Sequence, residues 1–438
     1  ALMCYSLFTF SAPTDSQVKK FTTALRAAPP KLNTWVSTFY KKVAQSFRAM
    51  PVNREQDVSL VLWRGSSSKR KPVLIHGVSS QPQDGNILSD VDSLVGNLWG
   101  QRLVERFGSL FDPVFAGVVS SFYSPYARRA QAFGRFTPLP QGNLDPAQII
   151  GGKIAFIQEA GGKLRSVASP LIAYQLALRH FGLAVYRFAS HLPWDCTHDQ
   201  ARPIPTLQDA LRKGCRIYSV DLSSATDYFP LEIQGQLMRS LFNNISDIDL
   251  FEVLSRSTWI SPVGPVSWRR GQPLGLFPSF AVFTVSHGLL LWYLNDCKHE
   301  EKFFVLGDDV VILDGQLYNR YIKVLEEWGC PYSQDKTIES SCICEFAGKI
   351  ISSQLAIPQY KWHSMSDDNF VDICRQLGHR SRVLLSPRQK AVFDRIKHCT
   401  TPMGLNFSYP GSNLATMEQL TRQTFVRSEE KVQDSLVD

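Results

Sequence analysis

Two four-residue apolar runs, Phe303–Leu306 and 310–313, flank Gly307, Asp308 and Asp309. Runs of that length, rich in Val, Phe, Ile and Leu, predict two short strands joined by a tight turn, because Gly307 takes positive φ at no steric cost. Upstream, the string RIYSVDL alternates, with Tyr218, Val220 and Leu222 on one face and Ile217, Ser219 and Asp221 on the other. That period of two predicts a strand with Asp221 near its end. Pro230 then opens LEIQGQLMRSLF, which has the spacing of an amphipathic helix. The run FAVFTVSHGLLLWYL predicts a longer apolar helix, but Thr284, Ser286, His287 and Gly288 interrupt it short of the roughly 18 apolar residues of a membrane span. Tyr321, Val324, Leu325 and Trp328 repeat at helical spacing and stop at Gly329.

These elements carry acids where acids are costly. A carboxylate ending an otherwise buried strand needs a cation or donors nearby, and the comparable acids on short apolar strands are Asp308 and Asp309. Asp221, Asp308 and Asp309 converging from two strands suit hard divalent ions. Mg²⁺, or Mn²⁺ in its place, takes oxygen ligands and keeps positions for water and phosphates. Two such ions about 3.5–4 Å apart clamp the attacking and leaving oxygens of a phosphoryl displacement. The chemistry that fits is nucleotidyl transfer.

Three strings in order, DLSSATD from Asp221, GQPLGLFPS from Gly271 and LGDDVVI from Leu306, resemble motifs A, B and C of viral RNA-dependent RNA polymerases, with wording nearest the mitovirus, narnavirus and ourmia-like group. The resemblance runs over about 151–351. It implies an α+β right-hand fold of fingers, palm and thumb with an antiparallel palm sheet flanked by helices. The divisions it implies are an N-terminal region and fingers at 1–214, palm motif A at 215–230, a fingers insertion at 231–267, palm motifs B to E at 268–357, and a thumb and tail at 358–438. The implied partners are RNA template, nascent RNA and NTPs, with the viral genome held as a ribonucleoprotein. The implied setting is the host cytoplasm, or alternatively the mitochondrion.

The remaining motifs extend that resemblance. Lys163 and Arg165, two apart after Gly161 and Gly162, resemble motif F and share a face of an extended segment, where they would neutralise an incoming triphosphate; the alternative is a solvated basic strand. Lys153 is a weaker candidate for the same channel. WDCTHDQARP is similar to a motif preceding motif A, and Asp199 and Gln200 either orient fingers against palm or belong to a polar loop. Cys196 and His198 lack a second ligand pair at zinc spacing. Asp227, six after Asp221, is implied to hold the ribose 2′-OH, and a cap of the helix after Pro230 is its alternative role. Gly275 and Ser279 match the glycine and small hydroxyl of motif B, implied to contact the template base and nascent pair. Phe283 stands where other RNA polymerases often have Asn, which leaves Thr284, Ser286 or His287 to complete the 2′-OH contact. Lys336 matches the motif D lysine implied to protonate pyrophosphate, or is a surface lysine. Glu345, Phe346 and Lys349 resemble motif E.

Composition agrees with a polyanionic partner. Lys and Arg total 47 against 39 for Asp and Glu, a net charge of +8. Arg375, Arg380, Arg382, Arg388, Lys390, Arg395 and Lys397 cluster where a thumb would meet product RNA. The string SSSKRKP at 66–72 is either a template contact or a solvated loop. Nine scattered cysteines imply a reducing compartment rather than a disulfide framework. The chain begins at Ala1 without a basic leader and reads as processed or an excerpt, and its end from about Arg427 is polar enough to be disordered. A reverse transcriptase is disfavoured by Leu306 before the paired acids and by Asp227. A silent RNA-binding relic is disfavoured by the intact acids.

Overall fold

The computed structural model describes residues 12–54, 61–63, 73–75, 97–111, 144–159, 163–298, 300–358, 370–371, 374, 378–399 and 405. The strands are β1 (Val61–Trp63), β2 (Val73–Ile75), β3 (Ile150–Glu159), β4 (Lys163–Pro170), β5 (Ile217–Asp221), β6 (Thr258–Ser261), β7 (Gly264–Val266), β8 (Phe303–Leu306), β9 (Asp309–Ile312), β10 (Ile338–Ser340), β11 (Ile343–Phe346), β12 (Lys349–Ser352) and β13 (Ala356–Pro358). The α-helices are α1 (Asp15–Arg26), α2 (Trp35–Ser46), α3 (Leu98–Arg106), α4 (Ile172–Ser190), α5 (Ile204–Arg212), α6 (Ala225–Tyr228), α7 (Leu231–Leu241), α8 (Ile245–Ser255), α9 (Ser279–Leu294), α10 (Gly315–Trp328) and α11 (Pro387–Ile396). The fold is α+β. It divides into two units, one of residues 10–357 and another formed mainly by residues 358–438.

At the centre of the first unit is an antiparallel sheet ordered β10-β5-β9-β8. The alternation read from the sequence sorts its residues. Val220, Val305, Val310 and Ile312 join the large core with α9 and α10, while Ile217, Phe304 and Val311 pack with Leu207 and Leu211 of α5 and Phe346 of β11. Both faces are therefore covered, and the sheet is a rigid base for the residues at its ends.

The helix α9 is apolar all round because it runs through the core; thirteen of its residues, from Ser279 to Trp292, are buried. Its neighbour α10 is capped by Asp314, whose Oδ1 accepts from the amides of Gln316 and Leu317 at 2.9 Å, and ends at Gly329 with φ 61°. Tyr321, Val324, Leu325 and Trp328 form its buried face, as their spacing predicts. A second sheet, ordered β4-β3-β6-β7, is antiparallel except for the β3–β6 pair, which is parallel. No described helix is long and apolar enough to cross a membrane. The second unit buries Phe370, Cys374, Leu385, Phe393 and Leu405 together.

Candidate active site

The β8–β9 connection is a two-residue turn. Asp309 is the first residue of β9 and not part of the turn as the apolar runs suggested, since it pairs with Leu306 on one side and Asp221 on the other. Gly307 has φ 61° and Asp308 has no positive φ, the one-glycine pattern of a type II′ turn. Register thus sets Asp221 directly across from Asp309, with Asp308 projecting beyond them, exposed at the turn.

An open cleft of about 440 Å³ lies over this edge. Its wall includes Asp221, Asp227 and Asp308, and also Lys163, Arg165 and Lys336, so the two cations expected from β4 face the acids expected from β5 and the turn. Lys153, exposed further along the hairpin, is not on that wall. The acids feel one another. Burial, then Asp308, Asp221 and Glu345, push the Asp309 carboxyl up to about 6. Asp308, although exposed at the tip of the turn, has enough protein around its carboxyl in the cleft wall that loss of water there, with Asp221, raises it, against the lowering effects of its own backbone amide, Lys163 and Arg165.

Such a set of mutually repelling hard oxygen donors fits a divalent cation. Among the described residues, however, no three His, Cys, Asp or Glu side chains are already gathered at metal-ligating positions. A protein cation occupies part of the site: Lys336 Nζ donates to Asp221 Oδ2 at 2.9 Å, and this bond raises the Lys336 pKa. Lys336 is thus an exposed lysine held against one of the candidate metal-binding acids.

Asp227 lies within the short helix α6, and the cap of α7 is Pro230 without any side-chain bond, so the capping role is corrected. Its Oδ1 instead accepts from Trp268 Nε1 at 2.7 Å, and burial pushes its pKa up to about 6 despite that donor. Trp268 is itself buried, edge-on to Trp259. Ser224, which leads into α6, takes the left-handed conformation with φ 51° and stands on the cleft wall.

Gly275 and Ser279, the motif B candidates, are not on the cleft wall. The Ser279 hydroxyl is buried and donates to the Pro273 carbonyl at 3.0 Å, bracing the loop from inside. Gly275, with φ 150°, lies against β4 so closely that a Cβ would come 1.8 Å from the Ala168 carbonyl oxygen. Buried Gln175 holds this loop through the Gly275 carbonyl and the Phe277 amide, both at 2.7 Å. Leu274, Phe280 and Phe283 supply the cleft wall instead. Thr284 and His287 bond to Gly307, and Ser286 is buried, so none of the three takes the place of the missing Asn.

In the WDCTHDQARP string, Asp199 caps its own turn through the amides of Ala201 and Arg202, at 3.1 Å each. The structurally committed acid there is Asp195, which is buried and bonded to Thr197 and Thr284. An acid beside Trp194 in an apolar stretch was the available signal. Trp268, Gln175, and Gln17 and Lys20 of α1, which also line the cleft, carried none. In the C-terminal unit, Arg382 and Lys397 both pair with Asp394, at 3.0 and 3.2 Å, while Arg388 and Arg395 are exposed on α11 with half-buried Lys390 between them. Arg380 falls in a short 3₁₀ segment. Arg375, the 66–72 string and the polar tail lie outside the described residues.

The family described as Mitovirus RNA-dependent RNA polymerase matches residues 104–386. The RNA-directed RNA polymerase of Cryphonectria parasitica mitovirus 1 is 31% identical over 206 residues, 46% of this chain and 25% of that protein, so the chain spans a quarter of that polymerase's length. An uncharacterized mitochondrial protein of Arabidopsis thaliana is 32% identical over 214 residues, 45% of this chain and 83% of that protein. A crystal structure of a human picorbirnavirus RNA-dependent RNA polymerase is similar with a TM-score of 0.40 at 12% identity, covering 53% of this chain and 54% of that one. With the family match extending over more than half of its residues, this chain belongs to the mitovirus RNA-dependent RNA polymerase family.

Proposed function

We propose that the chain extends RNA on an RNA template, taking NTPs and transferring nucleotidyl groups to the 3′ end in replication of a positive-strand viral genome. The observation that carries this is one cleft whose wall holds Asp221, Asp227 and Asp308 together with Lys163 and Arg165, with Asp309 paired to Asp221 across the ladder. Asp221, Asp308 and Asp309 are the residues that would hold Mg²⁺ or Mn²⁺. The ions would supply charge neutralisation and activation of the 3′-hydroxyl.

Lys163 and Arg165 neutralise the triphosphate within the same cleft, Arg165 through its planar fork. Asp227 accepts from the ribose 2′-OH with the oxygen that Trp268 leaves unused. Lys336, whose pairing with Asp221 keeps it protonated, exchanges that carboxylate for the leaving pyrophosphate as general acid. The genome is held as a ribonucleoprotein in the host. Relatives named as mitochondrial proteins favour the mitochondrion over the cytoplasm as the compartment.

The test is extension of a primed RNA template with NTPs in Mg²⁺. Asp221→Ala and Asp308→Ala should each reduce nucleotide addition to background while leaving the melting temperature and RNA binding close to wild type, because both side chains sit at the cleft and not in the core. Substantial elongation by Asp308→Ala would refute the assignment.

A further inference from the structure

Gly307, the first turn residue between β8 and β9, is held through both of its backbone polar groups by a single helix. Its N–H donates to Thr284 Oγ1 at 3.1 Å, and its carbonyl accepts from His287 Nδ1 at 2.8 Å. Thr284 and His287 are three apart on α9 and so share a face; both are fully buried. Each is supported from behind. The Thr284 hydroxyl donates to Oδ2 of buried Asp195 at 3.1 Å, and His287 Nε2 stands 2.6 Å from the Tyr321 hydroxyl of α10. A carbonyl can only accept, so the His287 proton is on Nδ1 and Nε2 accepts from Tyr321.

The hairpin does not need these bonds for its register, which four cross-strand pairs from Phe303↔Ile312 to Leu306↔Asp309 already fix. What they fix is the peptide plane on each side of Gly307, hence the φ and ψ of the most permissive residue in the turn. The second of those planes carries Asp308. Phe280, the residue after the start of α9, closes the remaining space: a Cβ on Gly307 would come 2.6 Å from its ring.

We propose that Thr284 and His287 are positioning residues for Asp308. They pin Gly307 so that the Asp308 carboxylate enters the cleft in the one orientation that lets it share a divalent cation with Asp221. The inference rests on the reading of Asp308 as a metal-binding acid. Supporting groups of this kind are worth on the order of 10–100-fold in metal affinity or activity.

The experiment compares Thr284→Val, which keeps shape and loses the hydroxyl, with Thr284→Ser, which keeps the hydroxyl, and adds His287→Phe. Mn²⁺ binding to the RNA-free chain is read by electron paramagnetic resonance, and single-nucleotide addition gives kcat and the KM for NTP. Thr284→Val and His287→Phe should weaken Mn²⁺ binding and lower kcat by on the order of ten-fold or more with KM nearly unchanged, and Thr284→Ser should restore both. Should Thr284→Val fail to fold, Tyr321→Phe carries the comparison, since it removes only the outermost hydroxyl and should weaken Mn²⁺ binding in the same direction. Wild-type Mn²⁺ affinity in the folded hydroxyl-deleted variants, or a Thr284→Ser as impaired as Thr284→Val, overturns the proposal. A wild-type chain that binds Mn²⁺ but never extends RNA refutes the polymerase reading, and the Mn²⁺ affinities of the variants then decide the clamp on their own.

Discussion

Asp309 shows how much a single register position can do. It faces Asp221 across the ladder and follows Asp308, so its carboxyl is displaced from the ordinary 3.8 to about 6 by burial and by those two neighbours. A folded pKa above the unfolded one means that the neutral form favours folding; that stability is complete below about pH 4 and is lost as pH rises through about 6. Asp309→Asn should therefore raise the stability of the metal-free chain by about 1–2 kcal/mol near neutral pH, discounted for partial exposure, and leave it unchanged near pH 4. Thermal melts at the two pH values check this. On the proposed metal role a cation would have to displace the same proton, so Mn²⁺ affinity should fall about tenfold per unit as pH drops below about 6. The other acid near 6, Asp227, is raised by burial against the lowering effect of its donor Trp268. Loss of the Asp227 carboxylate should narrow the preference for ribo- over deoxynucleotides by about 1–3 kcal/mol. Trp268→Phe should take part of that loss, and the double variant should add little to Asp227→Ala; fully additive effects on the ratio of kcat/KM values would separate the indole from sugar choice.

At the scale of elements, the outcome depends on whether a residue's role is local. The β8 and β9 runs, the alternation in β5 and the buried stripe of α10 follow from periodicity, and so does the meeting of Asp221 with Asp308 and Asp309 once two strands are antiparallel neighbours. Lys163 and Arg165 join them because β4 begins at the cleft, whose wall takes its first residues from Lys163 to Ser166. What periodicity does not carry is the side-chain choice within a loop. Ser279 and Gly275 fit a motif, yet the Ser279 hydroxyl turns inward to Pro273 and Gly275 exists to let the loop approach β4. Likewise Thr284 and His287 read as interruptions of an apolar helix, and only the packing of α9 under the turn gives them partners. Gly275→Ala tests the loop assignment. It puts a methyl onto the Ala168 carbonyl and a side chain at φ 150°, so a stability loss of about 1–3 kcal/mol and detachment of the loop from β4 are expected. Reduced RNA extension should accompany the lower melting temperature, and an unaltered melt would mean that the loop is not seated there in solution.

For the whole molecule the question raised by the proposed polymerase reading is where its 47 basic against 39 acidic residues would meet RNA. The C-terminal unit offers one answer. Helix α11 buries Gln389 and Phe393 toward its small core and carries Arg388, Lys390 and Arg395, while Arg382 and Lys397 converge on Asp394 and are partly neutralised by it. Phosphate contacts are sequence-independent and salt-sensitive. Replacing Arg388, Lys390 and Arg395 together by Gln should weaken binding equally to unrelated RNAs and flatten the slope of log affinity against log salt by roughly 0.7–0.9 per lost contact. Arg382→Gln alone should change that slope little and lower stability slightly, because its partner is already a carboxylate. Single-nucleotide addition at saturating RNA should survive the triple change better than processive extension, since Lys163 and Arg165 in the cleft are untouched. The converse pair, Lys163→Gln with Arg165→Gln, should raise the KM for NTP and leave the RNA salt slope near its wild-type value. An unchanged slope in the triple variant, together with a flattened one in the cleft pair, would move the RNA track from α11 to the β3–β4 hairpin.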